Sequence, residues 1–400
     1  MKTFRRLATL ATLATIQGSA LAGTLIVQVS STTTAEAIAT ASSFPLIEKA
    51  GPFALYEFPS FLTQDAAQSA MQSIAGVIWA EHDAPVSIPP QHSKGSSVAR
   101  VFDPALQFAE NSGAMAQIHW SPISSIRGAN PNKIAVLDTG LSPYIPSLWK
   151  GVVAAGAFEP YTRHPYDMPR RIDPSGNGIP DEGVGHGTAV TSMIRAVAPD
   201  ARLIIAKVAN SDGLADSWSI TKGLVFSVSN GARVVNMSLG AIEAIPALSD
   251  VVDWLETKNV LLCSPAGNNN QDHVFFPARI NKVLCTAGLD PQDHKAPFSN
   301  FGHDVRTSAP ATGIVVADWT GAMIRVSGTS IASPMLAAAI VGTPASLSGV
   351  SNDQIRLAIE NSGDDLDQLN PSFSGELGTG LNVGALRTRL ANLAAGNARR

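Results

Sequence analysis

The chain has 400 residues and is 45% hydrophobic, enough for more than one folded unit with a sizeable core. Its 28 Lys+Arg and 32 Asp+Glu leave a formal net charge of −4, a mild acidity that favours solubility and argues against a nucleic-acid partner. Residues 1–22 read as a secretory signal: Lys2, Arg5 and Arg6 precede a short apolar core over 7–16, and Ala20-Leu21-Ala22 is a small-x-small cleavage site. That core is far shorter than the roughly 20 apolar residues of a membrane span, and no later stretch qualifies. The expected destination is therefore outside the cytoplasm, with no membrane partner once the signal is removed.

Residues 23–90 read as a separate small α+β domain. Strand patterns occupy 24–30, 53–58 and 77–83. An alanine-rich helix occupies 34–41, and a second helix over 63–74 has Thr63 as its N-cap. The order fits a ferredoxin-like unit. Residues 85–99 are rich in Pro, Ser and Gly and read as an exposed linker, where processing cuts concentrate. The linker region is placed at 91–114, and one α/β domain is expected over 115–395.

Three segments of that domain carry chemistry. Ile134 to Leu137 is an apolar run that ends in Asp138-Thr139-Gly140, the pattern of a buried parallel strand with a carboxylate at its C-terminal edge. Gly185-His186-Gly187 opens a helix, and the two glycines let other chain segments come close. Val326-Ser327-Gly328-Thr329-Ser330 puts a hydroxyl at the start of an apolar helix, where free backbone N–H groups stabilise an anion. Pro334 is expected within the first turn of that helix.

Asp138, His186 and Ser330 in this order resemble the subtilisin-like serine proteases (subtilases). The likeness extends to Val197-Ala198-Pro199-Asp200-Ala201 and the strand after it, to Val234 through Gly240, to Ser264-Pro265-Ala266-Gly267-Asn268 and to Phe276-Pro277-Ala278. It implies a mostly parallel sheet flanked by helices, with the three catalytic residues at the C-terminal strand edge. His186 would be the base, Asp138 its orienting partner and Ser330 the nucleophile. The Asn268 side chain would donate to the oxyanion. Ser238, Leu239 and Gly240 would pair with an extended polypeptide substrate, and Gly240 would leave space for its side chain. Two positions depart from the family pattern: Ala189 and Met335 stand where histidines are usual.

The resemblance also implies that residues 23–90 are an inhibitory propeptide whose tail lies in the substrate cleft, the alternative being a retained structural domain. The implied protein is a secreted, monomeric serine endopeptidase working through an acyl-enzyme, with no cofactor required for chemistry. Esterase or transferase chemistry on the same triad, or a peptide-binding protein that does not cut, are the alternatives. Asp173, Asn177 and Asp181 flank glycines like ligands of a short calcium loop, although the pattern equally fits a solvated turn. Structural calcium is common in the family. Cys263 and Cys285 fall on strands expected to be neighbours, which leaves a disulfide or two buried thiols open.

Overall fold

The computed structural model describes residues 21–88, 93–122 and 131–398. The signal-like stretch, apart from Leu21 and Ala22, lies outside the described residues. No helix among those described is long and apolar enough to cross a membrane.

The first unit contains β1 (Leu21–Val29), α1 (Ala35–Ser42), β2 (Leu46–Ala50), β3 (Phe53–Pro59), α2 (Gln64–Gln72) and β4 (Val77–His82). Its antiparallel sheet has the order β2-β3-β1-β4, the ferredoxin-like arrangement expected. Thr34 and Thr63 cap the two helices by accepting from the amides of Ala37 and Ala66. Strand alternation splits the sheet's apolar residues between two cores. Leu25, Val27, Tyr56 and Phe58 pack under α1 and α2 with Ile38 and Met71. Ile26, Phe53, Leu55 and Trp79 face the second unit and join its core.

The chain then continues as β5 (Pro85–Ser87), β6 (Ser93–Ala99), α3 (Pro104–Glu110) and α4 (Ser112–Gln117). This corrects the expected linker. β5 and β6 are both paired strands. Asp103 caps α3, and Phe102, Met115 and Ile118 are buried in the core of the large unit. Polar composition hid β5 and β6 because their backbones are held by edge pairing.

The large unit runs through β7 (Lys133–Asp138), α5 (Pro146–Trp149), β8 (Val152–Ala157), α6 (His186–Val197), β9 (Arg202–Lys207), β10 (Leu214–Asp216) and α7 (Ser217–Ser229). There follow β11 (Val234–Met237), α8 (Pro246–Thr257), β12 (Leu261–Pro265), β13 (Leu284–Leu289), β14 (Val305–Pro310), β15 (Ile314–Ala317) and β16 (Met323–Ser327). It closes with α9 (Thr329–Val341), α10 (Asn352–Glu360), β17 (Thr379–Gly380) and α11 (Val383–Asn397). Eight strands form one sheet, ordered β17-β14-β13-β12-β11-β7-β9-β8, and every neighbouring pair is parallel.

Alternate strand residues feed opposite faces. Ile134, Val136, Leu203 and Val234 pack beneath α6 and α9. Ala135, Leu137, Ile204 and Val235 pack beneath α7 and α8. Such a sheet, covered on both faces, is the α/β architecture expected. After β7 the chain moves to the edge strand β8 and fills the gap with β9, whereas after β11 it steps the other way through β12, β13 and β14, so the winding reverses between β7 and β11. The carboxyl ends of strands at such a switch point form the crevice where ligands bind in open α/β sheets.

Candidate active site

Asp138 is the last residue of β7 and Ser238 is the first beyond β11. Leu137 pairs with Met237, so the two positions lie abreast at the switch point. Asp138 is fully buried. Its Oδ1 accepts from the Thr139 amide at 2.8 Å and meets His186 Nδ1, also at 2.8 Å. This fixes the tautomer with the proton on Nδ1 and turns Nε2 away from the carboxylate. His186 is the first residue of α6. The close approach depends on Gly187: a Cβ there would stand 2.3 Å from the Gly140 carbonyl oxygen and 3.1 Å from Asp138 Cβ. Gly187→Ala should therefore push α6 off β7, costing about 1–3 kcal/mol in overpacking and about a hundredfold or more in kcat from misplaced groups. Thermal melts and steady-state rates on the purified variant check both effects.

Ser330 is the second residue of α9, a helix buried on every side. Ser330 Oγ and His186 Nε2 are both buried and neither bonds to another described protein group. Pro334 sits deeper in the helix than expected, beyond the first turn. It has no N–H to give to the Ser330 carbonyl four residues back. The Ser238 hydroxyl makes that bond instead, at 3.0 Å. Ser238 Oγ in turn accepts from Asn236 Nδ2 at 3.0 Å, and Asn236 Oδ1 accepts from Ser333 Oγ at 2.8 Å. The proline thus frees a carbonyl that ties the turn of Ser330 to the end of β11.

Asn268 follows β12. Its Oδ1 accepts from the amide of Thr329 at 2.9 Å and from Thr329 Oγ1 at 2.8 Å. A Cβ on Gly328 would lie 3.4 Å from Ser330 Oγ and 3.5 Å from Asn268 Nδ2, so the hydroxyl and the amide nitrogen flank the same glycine. The loop is held from behind by Asn300, whose Oδ1 accepts from the amides of Asn269 and Gln271. Thr329 and Asn300 were not singled out from the sequence. Thr329 could have been, since it is the only residue between the glycine turn and the serine; Asn300 carries no local signal.

Residues 85–88 lie in the crevice as an added strand. β5 pairs antiparallel with β10 on one side. On the other, the Ser87 amide donates to the Gly240 carbonyl at 3.2 Å and the Gly240 amide returns a bond of 2.8 Å. Ile88 N–H reaches the Gly213 carbonyl at 2.9 Å. Space beside Gly240 is used otherwise than expected: a Cβ there would meet the Phe276 carbonyl at 3.2 Å and Phe275 Cβ at 3.3 Å. Its missing side chain admits the neighbouring chain. β6 pairs antiparallel with β16, with Ser93 opposite Ser327, three residues before the nucleophile.

The small domain docks through polar groups as well as its apolar face. Asp83 accepts from Ser217 Oγ at 2.8 Å and from the Trp218 amide at 3.0 Å, adding a second carboxylate to the N-terminus of α7 beside Asp216. Burial, reinforced by the Asp216 charge, pushes the Asp83 carboxyl up to about 6. Glu48 accepts from Trp218 Nε1 at 2.8 Å and pairs with Lys222 at 2.9 Å.

The side-chain oxygens of Asp173, Asn177 and Asp181 each accept from donors of the loop itself or of the chain beside it. Asp173 accepts from Ser175 Oγ and from the amides of Gly176, Asn177 and Gly178. Asp181 accepts from the amides of Arg170 and Arg171, and Asn177 Oδ1 from that of Ile179. Backbone N–H groups hold these carboxylates, as in Asx turns. Among the described residues no group of three or more His, Cys, Asp or Glu could hold a metal ion. These contacts are those of the solvated turn, the second of the two readings of this pattern.

Cys263 and Cys285 are free buried thiols. Their strands are neighbours, but Cys285 pairs with Ser264 and Cys263 with Leu284. The one-residue offset sends the two side chains to opposite faces of the sheet, and into separate cores. Ala189 in α6 and Met335 in α9, the two departures noted above, are buried core residues.

Comparison with known proteins agrees with this geometry. Residues 130–380 match the subtilase family. The alkaline protease of Alkalihalobacillus alcalophilus is 29% identical over 295 residues, covering 68% of this chain and 73% of the relative. Thermitase of Thermoactinomyces vulgaris is 30% identical over 242 residues, or 58% of this chain and 81% of that protein. Among solved structures, the prenylagaramide maturation protease PagA superposes with a TM-score of 0.54 at 24% identity, over 68% of this chain and 99% of its own. That last likeness concerns the fold alone. The chain belongs to the subtilase family and is a subtilisin-like serine endopeptidase.

Proposed function

We propose that Asp138, His186 and Ser330 hydrolyse peptide bonds through an acyl-enzyme. The observation that carries this is the buried 2.8 Å contact of His186 Nδ1 with Asp138, which leaves Nε2 as the base for an alcohol at the start of α9. Nε2 takes the Ser330 proton as Oγ attacks the carbonyl carbon, then delivers it to the departing amine. Water repeats the sequence on the ester. The Asn268 amide and the Ser330 backbone N–H donate to the oxyanion. Peptide is favoured over a small ester as substrate because the crevice offers backbone partners on two sides, Gly213 and β10 on one and Gly240 on the other.

Residues 23–90 act in this reading as an inhibitory propeptide and 85–88 as its plug, on a protein made for export. Chemistry needs no cofactor. The test is labelling with a fluorophosphonate and mapping the adduct: it should fall on Ser330 and be absent from Ser330→Ala. Ser87→Pro removes the amide that bonds Gly240. Loss of about 1 kcal/mol from that bond should speed labelling of the full chain about fivefold. An adduct elsewhere sinks the triad assignment, and an unchanged rate in Ser87→Pro sinks the plug.

A further inference from the structure

Asp167 lies in the loop between β8 and α6, fully buried, and the chemistry above makes no use of it. Its Oδ1 accepts from the amide of Gly185 at 3.0 Å. Its Oδ2 accepts from the amide of Thr188 at 3.0 Å and from Thr188 Oγ1 at 2.6 Å. These donors flank His186 in the first turn of α6, a helix whose own N-cap residue, Gly185, offers no side chain. The capping carboxylate therefore comes from a residue eighteen positions upstream of Gly185. Asp167 is itself anchored to the chain after Asp138, because its amide donates to the Leu141 carbonyl at 3.1 Å.

Lys207 ends β9 with Asp138 as its register partner, and it is buried too. Its Nζ donates to the Thr139 carbonyl at 2.7 Å and to the Ala209 carbonyl at 3.0 Å. Burial pushes the Asp167 carboxyl up and the Lys207 ammonium down, and in each case the other residue is the largest opposing charge. Glu159, Arg170 and Asp138 are the other charges that Lys207 senses.

We propose that Asp167 and Lys207 are a pair of positioning residues beside the triad: Asp167 fixes the turn that carries His186, and Lys207, of opposite charge, fixes the turn after Asp138. The pairing rests on the protease reading for its effect on rate, though not for its effect on the imidazole. Because the two charges are opposite in sign, the single variants should shift the imidazole in opposite directions and the double variant should cancel that shift.

The experiment compares Asp167→Asn, Lys207→Met and the double variant in the full chain, with rates normalised to sites that accept the fluorophosphonate. Asp167→Asn should lower kcat about tenfold with KM within about twofold, the pattern of misplaced reacting groups. With a negative charge near the imidazolium gone, the acidic limb of its kcat/KM profile should move to lower pH; Lys207→Met should move it higher, and the double variant should return it. The same shifts should appear when the His186 ring is titrated by NMR in a Ser330→Ala background, where no turnover occurs. Parental kcat in Asp167→Asn, or singles that do not shift the titration in opposite directions, would overturn the pairing. NMR shifts as expected in a protein that cleaves no peptide would support the pairing and overturn the protease reading.

Discussion

Ser330→Ala should lower kcat on a fluorogenic peptide by about a millionfold, the size of loss measured on a subtilisin stripped of its nucleophile. It should do so with almost no change in stability. Ser330 Oγ bonds to no described group, so its removal breaks no hydrogen bond. The bond that matters to the turn is made by the Ser330 carbonyl, which Ser238 holds and an alanine keeps. Alanine is also a favourable residue at a helix start of this kind, buried among small side chains. The melting temperature of Ser330→Ala should stay within about 0.5 kcal/mol equivalent of the parent. A variant that retains more than a small fraction of the parental rate would remove Ser330 from the chemistry. A variant that loses its rate by unfolding would show it in the melt.

The parts of this site that could be read from the sequence are those with a local cause. Asp138 was legible because an apolar run must stop where a buried strand ends, and the residue at that edge is the one placed at the crevice. His186 and Ser330 were legible because glycines on their turns signal close approach or a helix start. The small domain was legible from strand and helix periods and from the Thr63 cap, found in place, whereas Thr34, read as part of the first helix, is its cap. β2 was not, since Leu46–Ala50 is mostly exposed and shows no alternation. β5 and β6 were not, because a strand that merely completes another strand's edge needs no apolar pattern of its own. Asp167 lies far in sequence from the amides it caps, and Asn300 from the loop it holds; nothing adjacent to either announces its partner. Pro334 shows the converse case. Its place in the helix was read one turn too early and its consequence missed, because the carbonyl it frees is satisfied by a hydroxyl just beyond β11, 92 residues away.

Asn268→Asp should lower kcat about 10²- to 10³-fold, the range measured for loss of one such donor in a subtilisin, while leaving KM nearly unchanged. The argument turns on the two ends of the side chain. Oδ1 is committed to Thr329, accepting from both its amide and its hydroxyl. An aspartate keeps an oxygen there, so the loop and the start of α9 stay joined. What changes is the other end, where a donor is replaced by an acceptor that carries negative charge. The ground-state carbonyl senses this weakly. The tetrahedral oxyanion senses it strongly, because charge develops there in a buried site. Asn268→Leu is the complementary variant. It removes the donor and also leaves the Thr329 amide and hydroxyl without their acceptor, at a cost of about 1–3 kcal/mol for each buried group so orphaned. Asp and Leu should therefore share the loss in kcat and differ in the melt, with only Leu markedly less stable. If both variants lose stability and rate in parallel, Asn268 is a loop brace and the oxyanion is stabilised elsewhere. If Asp keeps the parental kcat, no donor acts from this position.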